Sequence, residues 1–258
     1  SAMNFPLVTA DVQIRIQRAV ARMVQAYGPQ GWWPVRTECR GFKQPQGERE
    51  LRGYHPGEFA FPATRKGRWE IVCGAVLTQN TAWLNVERAL DGLRVAKLTT
   101  PEALIRSDST VVGSAIRPAG YFNQKSKYLV AAARWFIAQE RSLCRATPSR
   151  ALLEAIRPGL LEVLGVGPET ADSILLYAFQ LPTFVVDAYT RKVFGRIGVV
   201  QAGFGYERIR HLFETALARH DTRRTVCEWQ EAHAVIVEHA KRYHGRGADP
   251  TTDFLLDV

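Results

Sequence analysis

Residues 160–198, LLEVLGVGPETADSILLYAFQLPTFVVDAYTRKVFGRIG, decide the fold. The tight turn at residues 164–167 (LGVG) lies between two short apolar helical patterns, and a Pro-containing loop then leads to Val186-Asp187. Glycine takes up positive φ readily and lets the backbone approach another molecule closely. The stretch therefore predicts a helical hairpin with a carboxylate delivered just behind it.

Apolar residues recur at helical spacing on both sides of this stretch. The patterned windows are residues 11–27, 69–80, 81–93, 123–139, 187–197, 206–219 and 226–243, with further helix starts at Thr100-Pro101 and Thr147-Pro148. Residues 28–62 and the tail from residue 245 show no clear period, which predicts a surface connection and a loose end. No strand alternation is visible beyond residues 184–186. The chain is predicted to be all-α, with about ten or more helices.

The charge of the chain favours a polyanionic partner. Its formal net charge is +9 and its pI about 9.6, and basic side chains that neutralise phosphates release counterions on binding. A merely basic, solvated surface is the alternative. No apolar run approaches the length of a membrane span. The four cysteines form no CxxC pair, which argues against a local metal motif and suits the cytosol.

The hairpin and Asp187 each have a functional and a structural interpretation. The start of the helix after the turn presents free N–H groups that suit a phosphate, yet the same residues could form an ordinary helix–helix turn. Asp187 could be a helix N-cap or a rigidly held catalytic carboxylate. The two roles of Asp187 are compatible, because a capping carboxylate is also fixed in position.

Several separated motifs, taken in order, resemble one known family. LGVGxxTA at residues 164–171 with Val186-Asp187 behind it is similar to the helix-hairpin-helix and aspartate signature of the endonuclease III superfamily of DNA glycosylases. AVLTQNTxWxxV at residues 75–86, IRPAGYFNQK at 116–125 and WWP at 32–34 resemble the branch that includes 3-methyladenine DNA glycosylase III. The match covers most of residues 30–243.

The resemblance implies two helical lobes with the active-site cleft between them. Residues 65–181 would form a six-helix barrel that carries the helix-hairpin-helix, and residues 4–64 and 182–258 would form the second lobe. The implied partner is double-stranded DNA with damaged bases, bound by a monomer in the cytoplasm at the nucleoid.

The resemblance also implies site roles. Asp187 would be the catalytic residue, and the substrate pocket would include Trp32, Trp33, Pro34 and Glu169. The DNA-binding residues would be Gln79 (as the wedge that replaces the flipped base), Asn80, Leu164, Gly165, Val166, Gly167, Thr170, Lys125 and Arg191. Three alternatives stay open: the tryptophans as core anchors, Gln79 as a plain helix-terminal residue, and the basic residues as solvated charges.

Two departures from the wider family bear on the reaction and on the cofactor: the nucleophilic lysine and the cluster cysteines are both missing. Bifunctional members carry a nucleophilic lysine eighteen residues before the aspartate, where this chain has Glu169; a carboxylate forms no Schiff base. Glu169 could equally be a first-turn helix residue. No cysteine follows Cys227, so no iron–sulfur cluster is expected. His233, His239 and His244 lack i, i+4 spacing, so no metal site is expected either, although the resemblance leaves room for a monovalent cation at the hairpin.

The sequence thus predicts a monofunctional DNA glycosylase that excises alkylated purines such as 3-methyladenine. A glycosylase for mismatched or deaminated bases, and a non-catalytic protein that binds damaged DNA, are the alternatives.

Overall fold

The computed structural model describes residues 7–40, 42–43 and 50–258. Within them nearly all of the regular secondary structure is helical, which confirms the predicted all-α class. The helices are α1 (Ala10–Tyr27), α2 (Arg65–Leu77), α3 (Trp83–Val95), α4 (Pro101–Arg106), α5 (Ser109–Ala115), α6 (Phe122–Arg145), α7 (Arg150–Leu161), α8 (Pro168–Ser173), α9 (Ala188–Arg196), α10 (Tyr206–Ala216) and α11 (Thr222–Tyr243). Residues 4–6, 41 and 44–49 of the expected second lobe and surface connection lie outside the described residues.

Most helix starts follow from local sequence. A Ser, Thr or Asp side chain accepts a backbone N–H of the first turn and so satisfies a donor that has no partner within the helix. Each such cap contributes about 0.5–2 kcal/mol. The caps are Thr9, Thr64, Thr100, Asp108, Ser149, Asp187 and Asp221.

The contacts divide the chain into two compact units. The terminal unit comprises Ser1–Trp32, Pro56–Phe59 and Pro182–Val258, and the hairpin unit comprises Trp33–His55 and Ala60–Leu181. This grouping differs from the division expected above, because residues 33–55 and 60–64 belong with the hairpin. The reason is local packing: the Val35 N–H donates to the Gly53 carbonyl, and Glu38 accepts the N–H groups of Ala63 and Thr64.

The core of the terminal unit forms where α1 packs on α10 and α11, and α9 on α11. Phe184 stacks on Phe213 with ring centroids 4.6 Å apart, and Phe194 meets the same ring edge-on. Burying an aromatic side chain of this kind stabilises a fold by roughly 1.5–3 kcal/mol. The aromatic cluster anchors the segment that leads into α9.

The core of the hairpin unit is built around α2, which is buried on nearly all sides, as its apolar sequence predicts. It packs against α3, α6 and a π-helical turn at Ile174–Ala178 that follows α8 directly. Trp69 of α2 and Phe136 of α6 lie 5.2 Å apart, centroid to centroid. The helix that ends two residues before the expected wedge residue Gln79 is therefore held rigidly.

Two details differ from the sequence prediction. The predicted surface connection contains a short antiparallel pair, Phe42–Lys43 with Glu50–Leu51. The tail predicted to be loose forms a 3₁₀ turn at Pro250–Thr252 and then buries Asp253 and Leu255. The spacing of apolar residues does not reveal either feature, because elements of two or three residues are too short to show a repeating pattern. None of the described helices is long and apolar enough to cross a membrane.

Candidate functional site

Asp187 begins α9 and uses its two carboxylate oxygens for different partners. Oδ1 accepts hydrogen bonds from the Thr190 backbone N–H at 2.7 Å and from the Thr190 hydroxyl at 2.9 Å. Oδ2 lies 3.2 Å from Nε2 of His233 on α11. The residue is 8% exposed. The N-cap bonds therefore fix the carboxylate through Oδ1, while Oδ2 is paired with a single imidazole.

Opposing effects set the pKa of Asp187. Burial raises this pKa, because a charge is costly away from water. The hydrogen bond and electrostatic attraction of His233, together with the two Thr190 hydrogen bonds, lower it and prevail, so the pKa lies below its ordinary value. Asp187 is consequently a buried carboxylate that is ionised at neutral pH. Such a group can stabilise positive charge on a reactant or orient a water molecule.

The segment before Asp187 is extended, and it pairs with no strand among the residues that the structure describes. Instead, side chains of α10 hold its backbone: the Phe184 N–H donates to Glu214 at 3.1 Å, and the Val186 N–H donates to the Tyr206 hydroxyl at 3.3 Å. Arg210 in turn pairs with Glu214 at 3.0 Å. These bonds fix where Asp187 emerges at the start of α9.

Trp32 extends this cluster within the terminal unit. Its ring is half-buried and meets the His233 ring edge-on, with centroids 5.7 Å apart. Lys241 Nζ lies 5.8 Å from the centre of the Trp32 ring. Asp187, Thr190, His233 and Trp32 form what we call the aspartate site.

His233 is the residue that sequence reasoning did not assign to this site. The structure buries its side chain, which is 4% exposed. Its position on the apolar stripe of α11 indicates burial. Its partner could not be identified from the sequence, because Asp187 lies 46 residues away.

The hairpin consists of α7, a turn at residues 162–167, and α8. Gly165 has φ +80°, and a Cβ placed there would lie 2.2 Å from Cγ of Tyr128. Gly167 has φ −89° and would place a Cβ in open space. Arg157 of α7 joins Asp172 of α8 through two hydrogen bonds of 2.7 and 2.9 Å. Thus Gly165 is required by packing, whereas Gly167 leaves an open face at the start of α8.

Gln79 is tied to this hairpin. Its Nε2 donates to the Gly165 carbonyl and to the Thr170 hydroxyl, both at 2.9 Å. Asn80, the next residue, is exposed and has φ 53°. Gln79 therefore positions the turn here, and the wedge role assigned to it stays a prediction that requires both hydrogen bonds to break.

Lys125 was expected to contact DNA phosphates, and the structure corrects this assignment. The side chain is 2% exposed, and Nζ donates to the carbonyls of Leu77, Gln79 and Ala119 at 2.7–2.8 Å. An ammonium group has three N–H donors, and all three are used. Burial lowers the pKa of Lys125 to about 8. Lys125 caps the end of α2 instead and fixes the turn that carries Gln79.

The assignment of Trp33 and Pro34 to a pocket is also corrected. Both are buried in the hairpin unit. The Trp33 ring packs against Trp83 and Tyr177, each with a centroid distance of 5.4 Å. The two adjacent tryptophans thus pack against different residues. Trp33 is a core anchor, and Trp32 belongs to the aspartate site.

The remaining predicted residues fall into two groups. Leu164 is 59% exposed, and Glu169 is exposed in the first turn of α8. Val166 and Thr170 are buried, and Arg191 donates to the Phe204 carbonyl at 2.8 Å. Val166 and Thr170 therefore act on local structure, whereas Arg191 is half-buried and is held by the Phe204 carbonyl.

Comparison with known proteins identifies a family and relatives that this chain resembles. Residues 73–219 match the model of the HhH-GPD superfamily base excision DNA repair protein. A Methanocaldococcus jannaschii protein assigned as a DNA repair glycosylase is 34% identical over 86% of this chain and 84% of its own length.

Two solved structures share the fold. The Helicobacter pylori 3-methyladenine DNA glycosylase bound to 1,N6-ethenoadenine has a TM-score of 0.63 and 22% identity, covering 89% of this chain and 97% of that one. An endonuclease III–DNA covalent intermediate has a TM-score of 0.64 and 15% identity, covering 95% and 94%. The family match spans more than half of the chain, and the chain therefore belongs to the HhH-GPD superfamily of base excision DNA repair proteins.

Proposed function

We propose that this protein is a monofunctional DNA glycosylase that excises alkylated purines from double-stranded DNA, with Asp187 as its catalytic residue. The observation that carries the proposal is the aspartate site: a buried, ionised carboxylate, fixed by Thr190 and paired with His233. That arrangement suits a reaction in which positive charge develops on a sugar.

In the proposed reaction the bond between C1′ and the base nitrogen breaks, and the bonding electrons leave with the base. The sugar then carries positive charge, which the carboxylate of Asp187 stabilises. Water adds to C1′ and loses one proton, and Asp187 orients this water or accepts the proton. The products are a free base and an abasic site with an intact strand.

A cationic alkylated purine fits this site best. Such a base leaves as a neutral molecule without being protonated, so the reaction needs no strong general acid. The exposed part of the Trp32 ring can attract a cationic base by about 0.5–2 kcal/mol. The Helicobacter pylori neighbour, named as a 3-methyladenine DNA glycosylase, supports the same substrate class.

The proposed absence of AP-lyase activity rests on Glu169. This exposed residue occupies the place at which bifunctional relatives carry their nucleophilic lysine. A carboxylate cannot form the imine with C1′ that strand cleavage through a Schiff base requires.

The hairpin would hold the DNA backbone. Gly167 leaves an open face at the start of α8, and Leu164 beside it is exposed. The net charge of +9 favours binding to a polyanion. In this proposal the backbone of the turn contacts phosphates, and Gln79 or Asn80 fills the gap left by the rotated base, whose unstacking costs a few kcal/mol.

The proposal is tested with duplexes that contain 3-methyladenine, uracil or a T·G mismatch. We expect release of free 3-methyladenine, strand breaks only after alkali, and no protein–DNA adduct on borohydride treatment. Faster release of uracil or thymine would assign the protein to deaminated or mismatched bases. Binding without release from any duplex would contradict an enzymatic role, and a borohydride-trapped adduct would contradict monofunctional chemistry.

The pKa of Asp187 predicts the acid side of the pH–rate profile. The active form is the carboxylate, and its pKa lies below the ordinary value, so activity should be lost only as the pH falls through that low pKa. In His233→Ala the lowering hydrogen bond is absent and burial raises the pKa, so the acid limb should move to higher pH. Single-turnover rates from about pH 4.5 to 8, corrected for enzyme-free depurination, check whether the variant shows an acid limb that the unmodified protein lacks over this range.

The matched control for this experiment is His220→Ala, which removes an exposed histidine of the same unit. Its pH profile should equal that of the unmodified protein. An unchanged acid limb in His233→Ala would show that His233 does not position or tune Asp187.

A further inference from the structure

A cluster of side chains that could bind a metal ion lies in the terminal unit at the end of α11, apart from the aspartate site. His239 belongs to α11, His244 follows it, and Asp253 comes from the tail. One ligand atom from each residue lies within 4.8 Å of the others. The side chains are 0%, 5% and 1% exposed, respectively. Two imidazoles and a carboxylate therefore converge, with side chains that are largely shielded from solvent.

The directions of these groups matter more than their distances. Nε2 of His239 lies 2.9 Å from Oδ1 of Asp253, but the two atoms do not make a well-aligned hydrogen bond. A hydrogen bond requires the N–H to point at its acceptor. Two ligands of one ion instead direct their lone pairs at a third point between them. A fully buried ring nitrogen without a hydrogen bond calls for such a partner.

The opposite side of His239 has the arrangement usual for a metal ligand. Nδ1 lies 2.7 Å from the hydroxyl of Tyr27, and metal-binding histidines commonly donate their second N–H to a neighbouring oxygen, which fixes the ring. Nε2 of His244 lies 3.1 Å from Oδ2 of Asp253.

We propose that His239, His244 and Asp253 bind a divalent transition-metal ion, for which Zn²⁺ is the best match. Nitrogen and oxygen donors of this type suit zinc, and ligand atoms around a tetrahedral zinc ion lie about 3.3 Å apart, close to the distances found here. Water or the second oxygen of Asp253 would complete the coordination.

The ion would have a structural role. His239 is six residues after His233 on α11, which is roughly 9 Å along the helix axis, so the metal is separate from the aspartate site. It would join the tail, through Asp253, to the end of the helix that carries His233. The chain lacks cysteines in this region, and the proposed site holds its C-terminal end without them.

The test uses the full chain, stripped of metal with EDTA and then titrated with Zn²⁺ by calorimetry, with bound metal measured by mass spectrometry. We expect one zinc per chain and a higher melting temperature on zinc addition. His244→Ala and Asp253→Asn should weaken zinc binding more than about 100-fold. Tyr27→Phe, which keeps all three ligands, should weaken it about 10–100-fold.

His220→Ala again serves as the matched control and should bind zinc like the unmodified protein. Circular dichroism identifies any variant that fails to fold, and Tyr27→Phe then decides the outcome, because it removes only a hydroxyl. Failure of the stripped protein to take up one equivalent of zinc would overturn the proposal. Equal affinity in Asp253→Asn and the unmodified protein would also overturn it and leave a hydrogen-bonded histidine–aspartate network.

Discussion

Asp187→Asn is expected to slow base release about 10³-fold or more while the fold and DNA binding persist. Asparagine has nearly the same shape, and it is as good an N-cap as aspartate. Its Oδ1 can still accept the two Thr190 hydrogen bonds. The variant therefore removes the negative charge and replaces the Oδ2 acceptor that faces His233 with an NH2 donor. Single-turnover release of 3-methyladenine measures the rate. Thermal unfolding checks that the fold persists, and a DNA titration checks that binding persists.

Asp221→Asn is a matched control for this experiment. Asp221 caps α11 in the same unit, and its Oδ1 accepts the Arg224 N–H at 2.7 Å, the same distance as in the Asp187 cap. Its rate of base release should equal that of the unmodified protein. If Asp187→Asn retained activity within about tenfold, Asp187 would be a helix cap without a catalytic role.

Gly165→Ala should destabilise the protein by about 3 kcal/mol. Positive φ costs a residue with a Cβ about 1–2 kcal/mol, and overpacking typically costs 1–3 kcal/mol. The clash is with Cγ of Tyr128, the atom at the root of the ring, so rotating the ring does not relieve it. Denaturant unfolding monitored by circular dichroism measures the loss.

Gly167→Ala is the comparison that separates stability from DNA binding. Its φ suits alanine, and its Cβ would meet nothing within 4 Å, so stability should change by less than about 1 kcal/mol. If the turn backbone contacts phosphate as proposed, the added methyl group should weaken DNA binding about tenfold or more. Unchanged affinity in this variant would contradict the proposed hairpin grip.

The sequence was sufficient where local chemistry determines structure. Asp187 is a typical helix N-cap residue, and the LGVG turn contains a glycine that adopts positive φ. Both features could therefore be placed from a few neighbouring residues. The helix class follows from spacing alone. These features depend on residues within one or two turns of each other.

The sequence was insufficient where a side chain finds its partner through the fold. Lys125 is a residue type that often contacts phosphate, yet its buried ammonium group donates to three backbone carbonyls. Trp32 and Trp33 are adjacent, yet different helices surround them. The histidines of α11 show no metal spacing by themselves, and Asp253 reaches His239 only because the tail folds back. None of these pairings leaves a periodic signal.

The division of the terminal unit between the two ends of the chain has a consequence for synthesis. Ribosomes produce α1 before the hairpin unit, but its packing partners α10 and α11 are made after that unit. The hairpin unit, by contrast, is complete once residue 181 has emerged. Domains generally fold as units during translation, so α1 must wait through most of elongation. A nascent chain therefore has every residue of the hairpin while it still lacks His233, which pairs with the Asp187 carboxylate.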